Sequence, residues 1–175
     1  MYVLDATPLI YLGKTQRVGV LDSVPERCVV PESVYEEVVV VGREAGHPDA
    51  RRVERAVEDG TLPTVPTPET ETRERLRENR RLSDPDAAVL AVAADADATA
   101  VMDEQYGRDA ASAEGVPTRG TAYLVLSALK HGELDGETAR ETVDEMVDAG
   151  WYCAPDLYAR LCRKIERLAG ESGSE

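Results

Sequence analysis

Thr99-Ala100-Val101-Met102-Asp103 is a short apolar run that ends on an acid, and Tyr2-Val3-Leu4-Asp5 repeats the arrangement at the start of the chain. Both runs read as strands. If they lie parallel in one sheet, Asp5 and Asp103 converge on the C-terminal edge, where open α/β sheets place their ligands. Glu37 and Asp86 stand on helical segments turned towards apolar residues, so four acids occupy positions where a carboxylate ordinarily costs stability. Crowded at one edge, such carboxylates repel and are driven towards protonation. A hard divalent cation relieves that conflict, because it prefers oxygen ligands and retains several waters.

The segments around these runs alternate between strand and helix. A helical stretch near Leu9 to Leu21 follows the first strand, Arg27 to Val30 is a second strand, and Pro31 starts a helix through Val41. After a loop, Asp49 to Asp59 is a helix capped by Gly60, and Leu62 to Pro68 is a Pro-rich connection with room for a short strand. Glu69 to Arg81 is a charged helix and Asp84 to Ala94 an alanine-rich one. Beyond the strand at Thr99, Glu104 to Glu114 is helical, Val116 to Thr118 is a last short strand, and Thr121 to His131 a helix. Such alternation predicts an α/β fold, a central parallel sheet covered by helices.

With 175 residues and 42% hydrophobic content, the chain suffices for one core. No run of roughly 18 apolar residues and no signal-peptide pattern stands at its start, which predicts a cytoplasmic protein with no membrane partner. Cys28, Cys153 and Cys162 form no C-x-x-C pair and read as reduced, packed thiols. The net charge of −14 is spread along the chain, lysine occurs only at Lys14, Lys130 and Lys164, and phenylalanine is absent. That composition resembles proteins of halophilic organisms, whose salt-rich cytoplasm screens self-repulsion. The charge therefore describes the solvent and does not exclude a nucleic-acid partner.

Helical geometry ranks the acids. The apolar face of the helix after Pro31 runs through Val34, Val38 and Val41, which puts Glu37 on its flank and Glu36 nearly opposite. Pro85 fits the first helical position, which makes Asp84 the expected N-cap and places Asp86 in the first turn, where the dipole favours an anion. Thr7 either orients a water or phosphate oxygen, or caps the helix that Pro8 starts. Asp103 is the stronger candidate of its pair, with Glu104 a capping residue or an outer ligand.

These residues carry a resemblance. Val3-Leu4-Asp5-Ala6-Thr7, Val30-Pro31-Glu32-Ser33-Val34-Tyr35-Glu36-Glu37-Val38, Leu82-Ser83-Asp84-Pro85-Asp86-Ala87 and Val101-Met102-Asp103-Glu104 follow the order and rough spacing of a PIN-domain (VapC-like) ribonuclease. Gly120-Thr121-Ala122-Tyr123-Leu124-Val125-Leu126 continues it. Ala149-Gly150-Trp151-Tyr152 with Asp156-Leu157-Tyr158 resembles the C-terminal extension of a prokaryotic subfamily of predicted nucleic-acid-binding PIN proteins. The resemblance implies a three-layer α/β/α fold, with a PIN-like catalytic domain over 1–130 and a C-terminal helical extension of that domain over 131–169, while the tail over 170–175 reads from its own composition as disordered. It also implies an endoribonuclease that cleaves single-stranded RNA with Mg2+ or Mn2+. Asp5, Glu37, Asp86 and Asp103 would ligate the metal directly or through water, and Thr7 would orient water or substrate. An antitoxin protein and a homodimer are further implied partners.

Arg119, after the last strand, either reaches a phosphate or makes a surface salt bridge. Arg73, Arg75, Arg77, Arg80 and Arg81 either form a phosphate-binding stripe or pair along the helix, Glu71 with Arg75 and Glu74 with Arg77. A non-catalytic RNA-binding or scaffold module with the same fold is the alternative reading. A phosphoacceptor receiver fits less well because it would want a lysine where Arg119 stands. A haloacid-dehalogenase-like phosphatase would want Asp-x-Asp, where this chain has Asp5-Ala6-Thr7. Finally, Leu157, Leu161, Ile165 and Leu168 form one helical stripe that must be covered, by this chain or by a second subunit.

Overall fold

A computed structural model describes residues 1–172. The predicted strands form β1 (Tyr2–Leu4), β2 (Cys28–Pro31), β3 (Thr64–Val65), β4 (Thr99–Val101) and β5 (Thr118–Arg119), all parallel, in the order β3-β2-β1-β4-β5. The three central strands are almost wholly buried, as a parallel sheet covered on both faces requires. Tyr2, Val3 and Leu4 stand opposite Thr99, Ala100 and Val101. The Asp5 amide then donates to the Val101 carbonyl at 3.1 Å. Connections run outward from β1 in one direction and from β4 in the other, so the topological switch point lies between these strands, at the edge where Asp5 emerges.

The chain turns into α1 (Ala6–Lys14) directly after β1, earlier than predicted, and a 3₁₀ segment, Val18–Ser23, replaces the rest of the expected helix. Thr7 therefore lies inside the first turn and Asp5 takes the N-cap position, so the capping role considered for Thr7 does not hold. After β2, α2 (Glu32–Tyr35) widens into a π-helical stretch, Glu36–Val41, and closes with α3 (Gly42–Glu44). The stretch contains four successive valines, whose β-branched side chains crowd an α-helical turn. Such stretches are rare and recur at functional sites, and Glu37 lies in this one.

Next come α4 (Pro48–Glu58), α5 (Glu71–Glu78), α6 (Asp84–Asp95) and α7 (Gln105–Ala113). Ala87 to Ala93 in α6 are all buried, and their small side chains let this helix lie against β1, β2 and β4, with α2 and α5 beside it. After α8 (Thr121–Lys130), the extension adds α9 (Gly136–Asp148) and α10 (Pro155–Ser172), which pack on α8 and on each other. This is the three-layer α/β/α arrangement, a parallel sheet flanked by helices. Leu161, Ile165 and Leu168 are buried and Leu157 is partly buried against the core, so most of the apolar stripe of α10 is covered within its own chain. Residues 170–172, read from the sequence as the start of a disordered tail, continue α10, whose last turns Leu168 anchors to the core. The rest of that tail, 173–175, lies outside the described residues.

Candidate functional site

At the C-terminal edge of β1 a pocket of about 300 Å3 is lined by Asp5, Thr7, Glu37, Asp86 and Glu104, with Arg81, Ser83 and Tyr106 on its rim. Glu36 is outside this lining, as the helical-face reading of Glu37 expects. Asp5 is buried, and its pKa is pushed up to about 7, mainly by desolvation and then by the charges of Asp86, Glu104 and Glu37, against a lowering hydrogen bond from the Ala6 backbone. Glu37 is shifted upward too, by partial burial and by Asp86. The Tyr106 hydroxyl moves the same way, through burial and then through Asp86, Glu104 and Asp5. Asp86 thus acts on Asp5, Glu37 and Tyr106 alike, as groups crowded into one pocket do.

Asp86 is held by a capping box. Ser83 Oγ accepts from the Asp86 amide at 3.1 Å, and Asp86 Oδ2 accepts from the Ser83 amide at 2.8 Å. Ser83, not Asp84, is therefore the N-cap of α6, a correction to the sequence reading. The reason is reach: an extended residue with a short hydroxyl bonds the amide three residues on, while Asp84 is already helical. Asp86 keeps its other oxygen for the pocket.

Asp103 is absent from this lining. Its Oδ1 accepts from the Thr121 amide at 2.8 Å, and its Oδ2 accepts from Thr121 Oγ1 at 2.6 Å and from Trp151 Nε1 at 2.9 Å. The carboxylate thus satisfies the start of α8 and the extension together. Gly120 makes this possible, because a Cβ there would stand 2.9 Å from Asp103 Oδ1 and 2.6 Å from an Arg108 nitrogen. Its neighbour Glu104 faces the acidic pocket, since successive side chains on extended backbone point to opposite sides. Glu104 Oε2 is buried and has no hydrogen-bond partner. Sequence reasoning ranked this pair the other way round, and only the Asp-Glu doublet itself signalled that either acid was available.

Arg119 lines neither the acidic pocket nor its neighbour. Its guanidinium lies 5.3 Å from the Tyr123 ring and donates to the Thr118 carbonyl. The arginines of the charged segment find partners other than those expected. Arg73 pairs with Glu69, and Arg75 with Glu114 at 2.7 Å. Arg77 lies 3.9 Å from Glu69. Neither the Glu71–Arg75 nor the Glu74–Arg77 pair forms: Arg75 takes a tertiary partner, Glu114, while Arg73 and Arg77 turn to Glu69 just before the helix. Of that arginine run, only Arg81 lines the pocket, with its guanidinium 5.9 Å from the Tyr106 ring.

Among the described residues no group of three His, Cys, Asp or Glu is already arranged to hold a metal ion. In donor type the pocket nevertheless fits a hard cation: its ligating groups are all oxygens, the charged form of Asp5 is disfavoured by burial and then by like charge, and the buried Glu104 oxygen lacks a donor. Also among the described residues, no helix is long and apolar enough to cross a membrane. No curated protein matches the chain. Residues 1–167 match the family DUF3368, described as a PIN domain. PIN domains are in general nucleases that typically use divalent metal ions. On a match across nearly its whole length, the chain belongs to the PIN-domain family DUF3368.

Proposed function

We propose that this protein is a divalent-metal-dependent endoribonuclease that hydrolyses phosphodiester bonds of single-stranded RNA. The observation that carries the reading is the convergence of Asp5, Glu37, Asp86 and Glu104 on one pocket at the switch point of a parallel sheet. The lining contains no histidine or cysteine, and Ser83, its one serine, is committed to the cap of α6. Mg2+ or Mn2+ bound there would neutralise phosphoryl charge and lower the pKa of a water. Asp5, Glu37 and Asp86 are the residues to hold it, with Glu104 supplying the fourth carboxylate. Asp103 holds Glu104 in place through its bonds to Thr121 and Trp151. The Thr7 hydroxyl sits where it can orient water or a phosphate oxygen, and Arg81 is placed to meet the negative charge of the substrate backbone.

The cell would keep such an enzyme in a cytoplasm of high salt, as the toxin of a toxin–antitoxin pair or in RNA processing. A small inhibitory protein that copurifies with it would select the toxin role. The protein would act as a homodimer through a surface other than Leu161, Ile165 and Leu168 of α10, which its own chain buries. The direct test is incubation of purified protein with a mixed single-stranded RNA pool in Mn2+ and in chelator. Cleavage that requires Mn2+ and disappears in Asp86→Asn supports the proposal. Cleavage indifferent to chelator, or undiminished in Asp86→Asn, refutes it.

A further inference from the structure

Beside the acidic pocket lies a larger groove of about 620 Å3, bounded by α1, the start of α7 and the C-terminal extension. Thr7 and Glu104 line both, so the two are adjoining parts of one surface. Their chemistry differs. The groove presents aromatic rings and two guanidinium groups, Arg108 and Arg160, and its Asp103 carboxylate is already occupied by three hydrogen bonds.

Tyr152 is the unusual member. In a chain with seven tyrosines, one tryptophan and no phenylalanine, this ring stands 86% exposed on the groove wall. Its position is nevertheless fixed. Trp151, the residue before it, is buried, with its amide bonded to the Met146 carbonyl at 2.9 Å and its indole bonded to Asp103. Gly150 supplies the turn at a φ of +101°, which L side chains rarely adopt. A rigid tether thus connects the exposed ring to the strand end that carries Glu104. Arg160 pairs with Asp156 on its own helix, at 3.2 Å, an exposed pair of the kind that contributes little and exchanges readily for another anion. Arg108 donates to the Met102 carbonyl at 3.1 Å and is anchored in the wall.

An exposed aromatic platform beside cationic side chains is how proteins hold single-stranded nucleic acid without regard to base identity. On a protein of net charge −14, the two arginines of the groove match its two carboxylates, Asp103 and Glu104, so its lining carries no excess of the negative charge that repels RNA. We infer that this groove is the subsite for a nucleotide flanking the scissile phosphate of single-stranded RNA, with the base stacked on Tyr152 and a backbone phosphate on Arg160. The inference rests on the nuclease reading above, which places the scissile phosphate in the adjoining acidic pocket.

The test is the binding of a fluorescent, non-cleavable 2′-O-methyl oligoribonucleotide by the full-length protein in chelator, so that neither turnover nor metal enters. Tyr152→Ala should weaken binding roughly tenfold or more, while Tyr152→Phe, which keeps the stacking face, should stay within about twofold of the wild type. Arg160→Gln should reduce the slope of log Kd against log salt by about one. An abasic position at the stacked nucleotide should weaken wild-type binding as much as Tyr152→Ala does and should weaken the variant no further. Unchanged binding by Tyr152→Ala, or equal losses in the Phe and Ala variants, overturns the subsite. If the wild type cleaves RNA but binds independently of Tyr152, the subsite fails and the nuclease reading stands. Tyr152-dependent binding by a protein that never cleaves RNA upholds the groove and refutes the nuclease.

Discussion

Trp151 Nε1 stands 2.9 Å from Asp103 Oδ2, across 48 residues of chain. The bond ties the C-terminal extension to the end of the central strand β4, and Thr121 completes the junction by donating both its amide and its hydroxyl to the same carboxylate. An acid that sequence pattern places among metal ligands is therefore engaged in joining three segments, and its neighbour Glu104 faces the pocket.

Asp103 and Glu104 should consequently separate stability from catalysis. Asp103→Asn turns an acceptor-only group into one that must set its own N–H against the donors of Thr121 or Trp151, and should cost about 2 kcal/mol in denaturant unfolding. Glu104→Gln removes the charge of a group with a buried unpaired oxygen, so stability should hold or rise while RNA cleavage is lost. Retained cleavage in Glu104→Gln, or equal destabilisation of the two variants, would contradict the division of roles.

Trp151→Phe keeps an aromatic ring in the buried site and deletes only the indole donor. It should destabilise by about 1–2 kcal/mol. In an Asp103→Asn background the same change should cost less, with a coupling energy of about 1 kcal/mol. Strict additivity in this double-mutant cycle would show that the pair does not interact.

The raised pKa of Asp5 sets a pH dependence whose sign is definite. From the ordinary 3.8 up to about 7, the folded state binds the Asp5 proton more tightly than the unfolded chain does. Stability should therefore fall as pH rises through that window and level off above it. The loss is on the order of 4 kcal/mol from this group, for a shift from 3.8 to about 7. In chelator, Asp5→Asn should flatten this slope and melt higher than the wild type at pH 8, while losing cleavage. A wild-type stability that climbs between pH 4 and 7 by the same amount in both proteins would show that Asp5 is not under such stress.

The capping box makes a contrast between neighbours in α6. Ser83→Ala should cost about 1 kcal/mol and, by loosening the Asp86 turn, weaken Mn2+ binding in calorimetry. Asp84→Asn should leave Mn2+ binding intact and cost only a few tenths of a kcal/mol, from the helix dipole. Similar metal affinities for the two variants would detach the cap from the site.

The strand ends were legible in the amino-acid order alone. Short apolar runs with an acid behind them can be read locally, and a parallel sheet necessarily brings such ends to one edge, so the α/β architecture and the position of Asp5 at that edge needed no coordinates, while Asp86 was legible from its place in the first turn of a helix. Glu37 was legible for a similar reason: its relation to Val34, Val38 and Val41 depends on a helical repeat, and the π-helical winding did not displace it from the pocket lining.

What local pattern leaves undecided is the choice between adjacent residues of the same chemistry. Asp103 and Glu104 differ by one position, and which of them faces the pocket depends on Thr121 and Trp151, donors that are distant in sequence. The cap of α6 passed from Asp84 to Ser83 by a single step of backbone conformation, and Arg75 of α5 chose Glu114, 39 residues away, over its helical neighbour Glu71. The stripe on α10 declared in sequence that it would be covered, but only the packing of α8 and α9 decided by what. Periodicity and the order of residues set which elements form, because those depend on backbone geometry within a few residues. Partner choice among equivalent polar groups depends on distances across the folded chain, and those exist only once the elements have packed.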